Sequence, residues 1–386
     1  MSRLDFIEGN DVQLLHGGTD YFPALMTAVN EAQHEIYLET YIFSADSVAD
    51  EVAATLMQAA ARGVVVRVVI DWLGSGRQAA QALAQELVAA GVDCRCFNPW
   101  FHRGLARTHR KIAVIDQQIA FVGGLNINDD LIADDGSRQV LHFPRWDFAV
   151  RLTGPLVAQI HLEAQAQWRK LGRLKLLTRF ALMRHLQTDA KTARTQMTAA
   201  AFLVRDNLRN RATIQKAYLQ ALGVARQRAV LATPYFAPGR KFRRALISAA
   251  SRGVDVCLLI GVGQFALQDA VTHSFYPKLL QAGVRIIEYR KTQLHAKVAV
   301  IDADWATVGS SNCDGLSLFV NHEANVVIRD AGFASRLLTH LEQGMADGVE
   351  IFSQDEDRHP WYKRAWYGTA YLVYRAVMRI VTWGGY

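Results

Sequence analysis

Short runs rich in Val, Ile and Leu alternate along most of the chain with longer stretches of helical periodicity. Residues 64–70 and 256–260 read as buried strands, since continuous apolar runs of that length suit a sheet covered on both faces. Stretches 48–62 and 240–252 read as helices, each stopped near a glycine, Gly63 and Gly253. Strand and helix in alternation predict an α/β fold, a mixed sheet with helices on both faces.

The pattern occurs twice. "EIYLETYIF" (35–43) matches "RAVLATPYF" (228–236), "AAARGVVVRVVID" (59–71) matches "SAASRGVDVCLLIG" (248–261), and "AAGVDCRCFN" (89–98) matches "QAGVRIIEYR" (281–290). Each half then reaches one polar motif, in "THRKIAVIDQQIAFVGGLN" (108–126) and "LHAKVAVIDADWATVGSSN" (294–312). A polar, non-periodic stretch, 187–200, reads as a linker. The expected division is a first domain over 1–168, a basic segment and linker over 169–200, a second domain over 201–356 and a tail over 357–386, with the two α/β/α domains related by pseudo-twofold symmetry.

Both motifs have the form His-x-Lys-(x)4-Asp: His109, Lys111 and Asp116, then His295, Lys297 and Asp302. Residues i and i+2 of a strand share a face, so each His and Lys point the same way from a buried strand into one pocket, and the Asp closes that strand. A second apolar run (119–122, 305–308) leads to Asn126 and Asn312, which return near the histidines if the two runs pair. Histidine can attack phosphorus or donate a proton; lysine and an asparagine amide can hold phosphate oxygens. Covalent phosphoryl transfer needs a nucleophile and an acid for the leaving alkoxide, so two halves meeting across a pseudo-twofold axis would supply both histidines to one site. An attacking imidazole also needs a carboxylate on its other nitrogen. Asp147 in "RWDFAVRLTGP" and Glu323 in "NHEANVVIRD" are the candidates.

Composition narrows the partner. About half the chain is hydrophobic, which excludes a disordered protein, and a net charge of +7 favours an anionic partner without choosing among nucleic acid, lipid and phosphorylated substrate. Cys94, Cys96, Cys257 and Cys313 lack metal-ligand spacing and read as reduced thiols, hence a cytoplasmic setting. No signal peptide and no spanning helix is expected.

At the doubled motif, and over nearly all of 5–350, the sequence resembles the phospholipase D superfamily. Within it, it is most similar to the bacterial cardiolipin synthases that begin without transmembrane helices. "FLVRDN" and "NHEANVVI" support the likeness. The resemblance implies phosphatidyl transfer through a phosphohistidine from phosphatidylglycerol to another lipid hydroxyl, with His109 as nucleophile and His295 as acid and then base. It implies that Lys111, Lys297, Asn126 and Asn312 bind phosphate and that Asp116 and Asp302 act structurally within the catalytic motif. No cofactor or metal is implied. The alternatives within the superfamily are a hydrolase releasing phosphatidic acid and a nuclease, and no nucleic-acid partner is expected.

A lipid substrate requires membrane contact, at the cytoplasmic face of the bacterial inner membrane. Residues 361–383 read as an amphipathic helix with Trp366, Ala370, Val373, Val377 and Ile380 on one stripe, widened by Tyr367, Tyr371 and Tyr374. Arg364, Arg375 and Arg379 fall opposite, and Trp361 and Trp383 mark the ends. A second basic segment, 169–186, is sticky without being cleanly amphipathic. Glu39 is a possible headgroup contact; His16, His34 and His102 read as surface residues.

Overall fold

The computed structural model describes residues 4–98, 100, 106–134, 137, 139–172, 198–207, 210–354 and 360–381. Residues 173–197 lie outside that set, and with them most of the basic segment 169–186; so do His102 and Trp383.

The first half runs β1 (Ile7–His16), α1 (Gly17–Glu31), β2 (Glu35–Thr40), α2 (Ser47–Ala61), β3 (Val65–Asp71), α3 (Arg77–Ala89), β4 (Asp93–Phe97), β5 (Ile112–Ile115), β6 (Ile119–Gly123), β7 (Phe148–Thr153) and α4 (Leu156–Leu171). The second half begins with β8 (Thr198–Arg205), α5 (Thr213–Val224), β9 (Arg228–Thr233), β10 (Phe236–Ala237), α6 (Arg240–Ser251), β11 (Asp255–Gly261), α7 (Ala266–His273) and α8 (Tyr276–Gln281). It continues with β12 (Arg285–Tyr289), β13 (Val298–Ile301), β14 (Trp305–Gly309), β15 (Cys313–Asp314), α9 (Gly315–Phe319), β16 (Glu323–Arg329), α10 (Ala331–Ala346), β17 (Val349–Ile351) and α11 (Trp361–Val381). The last three residues of the expected linker, 198–200, begin β8.

Fifteen strands form one mixed sheet, ordered β17-β12-β11-β9-β13-β14-β16-β8-β1-β7-β6-β5-β2-β3-β4. The order outward from the seam is the same on both sides, and the seam itself, β1 against β8, is antiparallel, as a twofold relation requires. The expected two sandwiches therefore share a sheet. Alternation along the strands fills both faces. Ile112 and Val114 of β5, with Val298 and Val300 of β13, join one core that crosses the seam beneath α4 and α10. Ala113 and Ile115 face a core on α1–α3, and Ala299 and Ile301 one on the helices of the second half. Gly63 and Gly253 hold φ of +91° and +90° just past α2 and α6, the left-handed stop expected of glycine there.

The tail helix α11 is not a free amphipath. It packs on α7: Ala370 and Met378 are buried, Tyr367 stacks on His273 at 4.9 Å, and Tyr371 meets Phe275 edge-on at 5.4 Å. The tyrosines thus serve the body of the protein, whereas Trp361, Trp366, Val373, Val377 and Ile380 remain exposed. At 3.6 residues per turn Trp366, Val373, Val377 and Ile380 lie on one side of the packed face, and the three arginines, with Trp361, lie on the other. No helix among the described residues is long and apolar enough to cross a membrane.

Candidate active site

The two motif segments meet across the seam. His109 and Lys111 lie just before β5, not within it, in an extended segment whose His109 N–H donates to the His322 carbonyl at 2.9 Å. His295 repeats this from the other side, its N–H donating to the Trp146 carbonyl at 2.9 Å. Each half thereby seats the histidine of the other. Between His109 and Lys111, Arg110 turns the opposite way, as alternation demands, into a buried bidentate pair with Glu39 at 2.7–2.9 Å. Glu39 is therefore committed to the scaffold and is no headgroup contact.

The orienting carboxylates are crossed as well. Glu323 Oε2 lies 3.1 Å from His109 Nδ1, and Asp147 Oδ2 lies 2.6 Å from His295 Nδ1. The Ser310 carbonyl is 3.0 Å from His109 Nδ1 too. A carbonyl and a carboxylate can only accept, so Nδ1 carries the proton and Nε2 presents its lone pair to the site. Gly124 makes room for this: a Cβ there would sit 2.2 Å from Asp147 Oδ1. At the matching position Ser310 instead donates its hydroxyl to Glu323.

Lys111 Nζ donates to the His109 carbonyl at 2.9 Å, and Lys297 Nζ donates to the His295 carbonyl while lying 3.7 Å from Asp147. Both histidines and both lysines of the motifs are buried. Burial pushes Lys111 down to about 7, with Lys297 adding to the effect, and pushes Lys297 down to about 8. Burial likewise lowers both histidines; the charge of Lys297 lowers His295 further. The two lysines thus crowd each other, and an entering phosphate would relieve that repulsion. Tyr41 walls it, its ring 4.9 Å from His109 and 5.2 Å from Lys111 Nζ. Asn126 and Asn312 are buried in the loops after β6 and β14; Asn126 Oδ1 accepts from the Ile42 N–H, and Asn312 Oδ1 has no partner among the described residues.

Asp116 and Asp302 are not in the site. Both sit in the hairpin turns with φ of +50° and +52°. Asp116 accepts from the N–H groups of Gln33, His34 and Glu35, and Asp302 from those of Arg226, Gln227 and Arg228. Each clamps the start of the neighbouring strand, a structural role and not a catalytic one. His16 also departs from the surface reading: it stacks on Phe148 at 4.8 Å and meets His340 of α10 across the seam.

Two residues that the motifs did not reveal complete the site. Asp134 Oδ2 lies 3.6 Å from His295 Nε2 and is held by Arg145 at 3.2 Å. The repeat offers no counterpart of Asp134, so matching the halves passes over it. Asp71, at the end of β3, accepts from the Thr108 N–H at 2.9 Å and ties down the approach to His109.

The family model described as "Cardiolipin synthase, PLD-like domain" matches residues 25–135 and 218–345. The chain is 39% identical over 368 residues to cardiolipin synthase B of Escherichia coli (strain K12), covering 93% of this chain and 85% of that one. It is 30% identical over 348 residues to a probable cardiolipin synthase of Bacillus subtilis (strain 168), covering 89% and 67%. Among solved structures, the phosphatidylserine synthase of Haemophilus influenzae Rd KW20 aligns over 98% of this chain and 97% of its own with a TM-score of 0.69; at 13% identity the likeness is one of fold.

Proposed function

The chain belongs to the cardiolipin synthase family of phospholipase D-like proteins and is a phosphatidyltransferase; from that premise we propose that it makes cardiolipin from two phosphatidylglycerol molecules through a covalent adduct on His109. The observation that carries the chemistry is the crossed pair of histidines, each with Nδ1 on a carboxylate of the other half. His109 Nε2 attacks phosphorus, the P–O bond to the glycerol headgroup breaks, and the departing oxygen takes a proton from His295. Burial and Lys297 disfavour that proton in the empty site, but a phosphodiester anion between the cations favours it. The acceptor hydroxyl then attacks phosphorus, the P–N bond breaks, and its proton passes to His295. Lys111, Lys297, Asn126 and Asn312 hold the non-bridging oxygens, where charge develops. We place the enzyme at a membrane surface, docked by the exposed Trp366, Val373, Val377 and Ile380 of α11.

The test is a product assay on phosphatidylglycerol vesicles. Cardiolipin with an equal amount of free glycerol supports the reading; phosphatidic acid without cardiolipin makes the protein a hydrolase.

A further inference from the structure

A cavity of about 490 Å³ opens between Ala133 and residues 139–142 of the first half and the segments that follow β11 and β12 in the second, and its wall includes Gln293, two residues before His295. We propose that it receives the phosphoglycerol headgroup of the acceptor lipid, the second substrate of the transfer. The proposal rests on the transferase reading and specifies where its acceptor sits.

Position is the first argument. Ala133 and Gln293 form part of the cavity wall, and the Gln293 side-chain oxygen lies 3.5 Å from the Asp134 backbone N–H. Asp134 in turn reaches His295 Nε2. The cavity wall thus connects, through Gln293 and then Asp134, to the histidine that must take the acceptor's proton. The matching place in the first half is built differently. There β3 ends in Asp71, which binds the Thr108, Leu73 and Gly74 N–H groups, and buried Trp72 follows. At the matching place β11 ends in Gly261, followed by Val262 and Gly263.

Chemistry is the second. The wall sets the amides of Gln139, Gln264 and Gln293, and Arg290 and Lys291, which also pair with Glu288 and Asp347, beside apolar Val140 and Leu141, so hydroxyls and a phosphodiester find donors there. Gln264 accepts from the Tyr235 hydroxyl at 3.0 Å, and its buried side-chain nitrogen has no partner among the described residues. A buried amide donor left unpaired is costly and calls for an acceptor. The third argument is access. Asp269 and His273 of α7 line the same cavity, and α7 is the helix on which α11 packs, so a bilayer met by the exposed face of α11 lies next to it.

In the step this serves, the acceptor hydroxyl oxygen bonds to phosphorus, the phosphorus–His109 bond breaks, and the proton goes to His295 Nε2. Water entering in its place gives phosphatidic acid, so the cavity's occupancy sets the ratio of the two products.

That ratio is the test. The full chain and its Gln264→Leu and Gln139→Ala variants are given phosphatidylglycerol in mixed detergent micelles, and cardiolipin and phosphatidic acid are measured together. One lost hydrogen bond predicts a fall of about fivefold in the cardiolipin-to-phosphatidic-acid ratio for Gln264→Leu. Deacylated headgroup, glycerophosphoglycerol, should inhibit cardiolipin formation by the parent and inhibit the Gln264 variant less. Gln139 is an exposed side chain, and its variant provides the same readout if Gln264→Leu does not fold. A parent that makes cardiolipin, with ratios unchanged in both variants and no inhibition by the headgroup, overturns the cavity's role alone. A parent that makes no cardiolipin overturns the transferase reading and the cavity's role together.

Discussion

Glu323 and Asp147 each hold a histidine's Nδ1 from the opposite half and so fix its tautomer. Their effects should therefore divide by step. Glu323→Gln should slow adduct formation on His109 by roughly 100-fold or more, as misorienting an attacking base's imidazole does elsewhere. Asp147→Asn should spare the adduct from a donor whose leaving group needs no proton, and slow turnover of ordinary phosphatidylglycerol. Rapid-quench measurement of the adduct with both donors separates the two, and equal losses at both steps would contradict the assignment. The lysines give a pH prediction. Lys111 at about 7 and Lys297 at about 8 lose charge in the empty site near neutrality. Bound phosphate should draw protons back onto them, so inorganic phosphate should bind with proton uptake near pH 8 and more weakly as pH rises further. Calorimetry in two buffers of different ionisation enthalpy reads that uptake directly. The sign for stability follows from the same values. Unfolded lysine titrates near 10.4, so between about 7 and that value the unfolded chain binds more protons and these two groups make stability rise with pH.

Element boundaries were legible wherever the pattern was local. The strands expected to carry the motif histidines and lysines begin just after them, at "IAVI" (β5) and "VAVI" (β13), while the glycine stops at Gly63 and Gly253 fall where the pattern places them. What escaped was tertiary. The stripe of α11 was read as one face, but half of it is used by α7, because a periodic pattern records apolarity and not what covers it. The roles of its residues separate accordingly. Tyr374 accepts from the Gly315 N–H at 2.9 Å and lies 3.3 Å from the Ala237 carbonyl, so Tyr374→Phe should cost about 1–2 kcal/mol, read as a lower thermal midpoint. Trp366, Val373, Val377 and Ile380 changed together to Ser should leave that midpoint in place and weaken binding to phosphatidylglycerol vesicles. Changing Arg364, Arg375 and Arg379 to Gln should weaken it less, since the arginines lie on the far flank. A larger effect from the arginines would mean that the helix meets the membrane on its other side.

At the scale of the whole molecule the duplication explains the site. One half provides a histidine, a lysine and a carboxylate, but the carboxylate serves the other half's histidine, and the first strands of both halves join in one sheet. The sequence announced the two motifs and their shared chemistry; it did not reveal the crossing, since the order of elements is the same whichever half a side chain reaches. Nor did it reveal Asp134, which has no repeat partner to draw the eye. The central claim is that this composite site transfers a phosphatidyl group through His109. The most direct test is to mix the protein with phosphatidylglycerol, quench in alkali within milliseconds, and locate the adduct by mass spectrometry of the digested chain. The account predicts a phosphatidyl group on the peptide containing His109, absent from His109→Ala and discharged into cardiolipin when fresh phosphatidylglycerol is added before the quench. An adduct on His295, or turnover with no adduct at either histidine, would contradict it.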